Sequence, residues 1–127
     1  MSEPAVKRQE EPTWQPISAL GLIGRLIDAQ VEGGRDQYET LLRARPYALD
    51  DATVERLLKA YGDTTDDLWL YDEQLARWSK GVLSGYQRRE VERLRAQMAD
   101  LHEVVQQILA LGARLSPDPP IGIGLTA

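Results

Sequence analysis

The stretch VERLRAQMADLHEVVQQILALGARL, residues 91–115, decides the fold. Its residues Val91, Leu94, Met98, Leu101, Val105, Ile108, Gly112 and Leu115 are spaced by alternating steps of three and four. On an α-helix that spacing lines them along one stripe, and its persistence over several heptads predicts packing against other helices of the same kind.

Upstream, the same rhythm occurs twice more. Val54, Leu57, Tyr61, Thr64, Leu68, Tyr71, Leu75 and Trp78 form one stripe, and Ile17, Leu20, Gly24, Ile27, Val31, Gly34, Tyr38 and Leu41 form the other. The predicted fold is therefore all-α: an antiparallel three-helix bundle with long coiled-coil-like helices at about residues 14–45, 50–80 and 84–115. Helices of this length imply a rod of about 40–45 Å at 1.5 Å rise per residue.

The punctuation agrees. Pro46 predicts an end to the first helix near Arg45, because a residue before proline avoids the α region. Asp50 is placed to cap the second helix, with Leu49 and Val54 as a hydrophobic staple. Gly81 suits a left-handed C-terminal cap, and Ser84 with Gln87 forms a capping box for the third helix. Short loops predict that consecutive helices are antiparallel neighbours. Folding the chain about the first loop sets Gly24 opposite Tyr71 and Gly34 opposite Tyr61, so that each ring fills the hole left by a missing side chain.

Outside the bundle (residues 14–115), residues 1–13 carry charges and two prolines without periodicity and read as a flexible arm. In residues 116–127, Pro117, Pro119 and Pro120 exclude helix. There Ile121, Ile123 and Leu125 alternate, as an extended segment lying on an apolar surface would, and the competing, favoured reading is a disordered tail.

Composition narrows the function classes. A chain of 127 residues with a formal charge of −5 is repelled by phosphate backbones, so general nucleic-acid binding is disfavoured. With no cysteine, the chain has no disulfide, thiolate nucleophile or cysteine-ligated metal. No run is apolar enough for a transmembrane helix, and residues 1–16 lack the apolar region of a secretory signal, so the expected location is cytoplasmic. The excess of arginine over lysine suggests a bacterial source of high GC content.

Chemical motifs are sparse. His102 is the only histidine, and acid–base work needs an orienting partner and a substrate pocket beside it. The carboxylates Asp63, Asp66, Asp67, Asp72 and Glu73 match neither a di-metal bundle nor a calcium loop. The arginines Arg88, Arg89, Arg93 and Arg95 are interleaved with Glu90 and Glu92, which reads as a mixed solvent face. No catalytic, cofactor-binding or metal residues are expected, and the chain reads as a non-enzyme.

Two constellations exceed what the stripes require. The first helix begins apolar almost all round, and Leu22 and Leu26 project away from the stripe. With Trp78, Val82 and Tyr86 they define a candidate interaction patch for self-association or a protein partner. Broader burial within the bundle is the competing use for those leucines. At mid-rod, Gly34, Tyr61, Thr64, Met98 and His102 fall at one level, beside the weakly helical Gly33–Gly34 and 62–65 stretches. This layer is either a pocket with a kinked or broken helix, or a filled core.

The leading expectation is a small protein–protein interaction or self-association module, such as a homodimer. The alternatives are an amphipathic protein that coats a lipid or polymer inclusion surface, and a ligand sensor using the mid-rod layer.

Overall fold

The structure, a computed structural model, describes residues 12–44 and 49–115. A 3₁₀ turn, Ile17–Ala19, leads into α1 (Leu20–Arg43). It is followed by α2 (Asp51–Ser79) and α3 (Gly85–Leu115). The fold is an all-α three-helix bundle, and no described residue belongs to a strand.

The predicted stripes of α1 and α3 form most of the core; from the α2 stripe Val54, Leu68, Leu75 and Trp78 are buried, while Leu57, Tyr61, Thr64 and Tyr71 are half-buried. In α1 the buried residues are Leu20, Gly24, Ile27, Val31, Gly34 and Leu41, every one of them on its stripe. In α3 the stripe residues Val91 through Gly112 are all buried, and a second row, Val104 and Leu111, is buried beside them. Ile27, Leu75, Leu94 and Ile108 are 0% exposed, each removal from water being worth roughly 1.5–3 kcal/mol before chain entropy is counted.

That second row on α3 reflects its position. Both α1 and α2 pack along α3, whereas α1 and α2 barely approach each other. The expected close packing of consecutive helices holds for α2 and α3 and is corrected for α1 and α2: α3 is the shared partner. Contacts fix the directions. Asp28 meets Arg93 and Arg35 meets Asp100, so α1 and α3 run parallel. Ser79 meets Arg95 and Asp72 meets His102, so α2 and α3 run antiparallel.

The glycine pairing is corrected with it. A Cβ on Gly24 would lie 3.3 Å from Leu94 Cδ1, and one on Gly34 would lie 3.0 Å from Val104 Cγ1. The bare backbone of α1 admits aliphatic side chains of α3, not tyrosines of α2. Gly112 does the same between α3 and α2, where a Cβ would stand 2.8 Å from Leu58 Cδ2. Glycine's cost within a helix is accepted where two backbones must come close.

The helix ends follow local chemistry. Asp50 Oδ1 accepts from Thr53 N at 2.8 Å. Both arms of the capping box form, Gln87 N donating to Ser84 Oγ and Ser84 N to Gln87 Oε1. Gly81 does not adopt the left-handed conformation. Instead Lys80 N and Gly81 N donate to the Arg77 and Trp78 carbonyls, and the Arg88 side chain donates to those of Ser79 and Gly81. Helix α1 stops at Arg43 with Ala44 extended, ahead of Pro46, which lies outside the described residues. At its other end the helix starts later than expected, because Pro16 is extended and residues 12–16 are non-helical. Neither α1 at Gly33–Gly34 nor α2 at residues 62–65 is broken. The Thr64 and Thr65 hydroxyls donate to the Ala60 and Tyr61 carbonyls within the helix. Most of residues 1–13, and all of 116–127, lie outside the described residues.

Candidate interaction surfaces

Because α1 and α2 rest on α3 without closing on each other, a cleft runs between them. Its midpoint is a cavity of about 360 Å³ lined by Gln30, Gly33, Gly34, Tyr61, Thr64 and Leu101, among others, so that Gly33 stands at the border between the cleft and the outer face of α1. The expected mid-rod layer is thus partly assembled. Gly34, Tyr61 and Thr64 share this cavity, but Met98 is 1% exposed in the core and His102 stands on the outer side of α3. Burial pushes the Tyr61 phenol pKa upward, as expected for a group whose charged form is poorly solvated. Gln30 Nε2 donates to the Tyr71 hydroxyl at 2.9 Å, a side-chain bridge across the cleft.

His102 Nε2 lies 2.6 Å from Asp72 Oδ2, joining α3 to α2 on an exposed surface. An orienting carboxylate is therefore present, but the mid-cleft cavity is lined by other residues. Among the described residues no group of three or more histidines, aspartates or glutamates is arranged to hold a metal. No described helix is long and apolar enough to cross a membrane.

One end of the cleft holds the chain's own residues 12–16, an arrangement that periodicity could not reveal. Gln74, the one buried polar side chain among the described residues, accepts from Gln15 N at 2.6 Å. Trp78 Nε1 donates to Gln15 O at 2.9 Å, and Gln74 Nε2 approaches the same oxygen at 3.4 Å. The main chain of Gln15 is thereby read on both its donor and its acceptor. Trp14 packs edge-to-face with Trp69, ring centroids 6.2 Å apart, and lies under the Arg77 guanidinium at 4.4 Å.

The candidate patch divides. Trp78 is 6% exposed and committed to the core and to Gln15. Val82 is fully exposed in the α2–α3 loop, and Tyr86 is 67% exposed at the start of α3. Leu22 and Leu26 are 53% and 43% exposed, so the bundle does not use them. Ala29 and Gly33 continue their line at helical spacing and are also exposed. Nothing lies within 4 Å of a Cβ built on Gly33.

Salt links brace the opposite side of α1. Arg93 reaches both Asp28 oxygens, at 3.2 and 2.9 Å, and both Glu90 oxygens. The hydrogen bond from Arg93, and a further one from Gln97, lower the Asp28 pKa against the opposing effect of burial. The two carboxylates raise the Arg93 pKa.

Comparison with protein-family models, curated proteins and solved structures finds no match.

Proposed function

We propose that the protein is a non-catalytic helical interaction module that associates with a second copy of itself through the outer face of α1. The reading rests on the ridge of Leu22 and Leu26, exposed one turn apart on a helix whose core stripe is already fully engaged. Isolated surface leucines are ordinary, but this pair continues into a residue that packing within the chain does not explain. Glycine inside a helix costs about 1 kcal/mol relative to alanine, and no close approach among the described residues accounts for Gly33, which borders the mid-cleft cavity.

A second copy supplies the close approach. Two α1 helices laid antiparallel about a two-fold axis bring Leu26 of each over Gly33 of the other, a large residue against bare backbone. The same register turns exposed Arg25 toward exposed Glu32 of the other copy, twice by symmetry.

Light scattering tests this directly. The wild type is expected at twice the 14.3 kDa chain mass at high micromolar concentration, and the Leu22→Glu, Leu26→Glu variant at the single-chain mass. A wild type that remains a single chain there would refute the reading.

A further inference from the structure

Residues 12–16 lie against α2 as a bound peptide lies in a receptor. We infer that the surface they occupy, built by Trp69, Gln74, Arg77 and Trp78, is a recognition site for an extended Trp-x-Pro segment of a partner protein. The chain's own Trp14, Gln15 and Pro16 fill it until that partner displaces them.

The receptor side is carried by one helix and fixed by the core. Gln74 and Trp78 are one turn apart on α2 and are 5% and 6% exposed. Trp78 belongs to the main apolar cluster, and Leu75, next to Gln74, is wholly buried. Among the described residues, Gln15 is the sole hydrogen-bond partner of the Gln74 side chain and of the Trp78 indole N–H. A buried amide without a partner is costly, so the position of Gln74 requires a main chain to lie against it.

The ligand side is read in a way that defines a signature. At Gln15 only the main-chain N–H and carbonyl are held from α2, while the side chain turns back to the Thr13 carbonyl at 3.2 Å. The identity of that residue is therefore unread. The preceding indole is read, edge-to-face by Trp69 and from above by the Arg77 guanidinium. Pro16 follows with φ −70° and ψ 161°, the polyproline form of extended chain. Aromatic-lined grooves take such segments well, because a preset extended chain loses little entropy on docking.

The attachment of the segment permits exchange. A three-residue 3₁₀ turn joins it to α1, and Ala19 N donates to Pro16 O at 2.9 Å. The N-cap of α1, Ala19, makes no side-chain capping bond, and the first turn holds no acidic residue. Release of residues 12–16 thus breaks no cap of the helix that follows. Exchange between two copies would only restore the same contacts at each site, so the displacing segment belongs to a different chain of the same signature. The contacts named here do not involve Leu22 or Leu26, and the site stands apart from self-association through α1.

Fluorescence anisotropy of a labelled peptide of residues 12–17, Pro-Thr-Trp-Gln-Pro-Ile, measures the site in the full-length chain. Trp14→Ala weakens the internal segment. Gln15→Pro, which removes the donated N–H, weakens it by a second route should the first variant not fold, and circular dichroism checks that each is helical. The peptide is expected to saturate either variant and to bind the wild type at least about tenfold more weakly, because a tethered segment competes at high effective concentration. A peptide carrying Trp14→Ala, or a variant chain carrying Gln74→Leu as well, is expected to lose at least about tenfold in affinity. A folded variant left unsaturated at millimolar peptide, or equal affinity for wild type and variant, overturns the inference. So does displacement of the labelled peptide by unlabelled wild-type chain as effectively as by unlabelled peptide, which would assign the site to a second copy.

Discussion

Gly33 and Gly34 are adjacent in α1 and have opposite surroundings. A methyl group on Gly34 would press on Val104, while one on Gly33 meets open space. Gly33→Ala is therefore expected to stabilise the single chain by about 0.5–1 kcal/mol through helix propensity. Gly34→Leu is expected to destabilise it by roughly 1–3 kcal/mol through overpacking against α3. Thermal unfolding at low protein concentration, where self-association does not contribute, separates the two. The stripe identified Gly34 as a core position, but the partner of its hole was not legible. Any large side chain at that level fits the same vacancy, and residue spacing does not say which neighbour delivers it.

At the scale of elements, α1 and α3 are joined on their outer edge by Asp28, Arg93 and Glu90. The folded-state pKa of Asp28 is depressed, so its contribution is present above the unfolded carboxylate value near 4 and is lost as pH falls through the lower folded value. Asp28→Asn should flatten this acid-side dependence and cost under about 1 kcal/mol at neutral pH, because both partners are nearly half exposed. Urea unfolding midpoints taken from pH 7 to pH 3 measure both effects. The bounds of α2 and α3 were legible to within a residue, since the Asp50 and Ser84–Gln87 caps act locally, whereas α1 begins at Leu20 and not near residue 14 because residues 12–16 are non-helical. The arrangement of the helices was not legible. Short loops argue for hairpin packing of α1 on α2, yet the glycines of α1 and the double row Val104 and Leu111 of α3 place α3 between them.

Across the whole molecule, the widest departure from a sequence reading is the seat of residues 12–16. Gln74 lies beside the stripe residue Leu75, and nothing in its spacing marks it as buried or as the clamp of a segment far away in sequence. Its role makes a clear expectation. Gln74→Leu removes the acceptor for Gln15 N–H while keeping bulk, leaving a partly covered donor unpaired at a cost of roughly 1–3 kcal/mol. Proteolysis near Trp14 should then precede global unfolding, which limited digestion followed by mass analysis will reveal.

The placement of α3 between its two companions also orders events during synthesis. Until residues 85–115 have left the ribosome, the stripes of α1 and α2 have no adequate surface to cover them, for these two helices scarcely meet. The nascent chain must carry two uncovered apolar ridges, a condition that invites chaperone engagement, until the third helix emerges and gathers both at once.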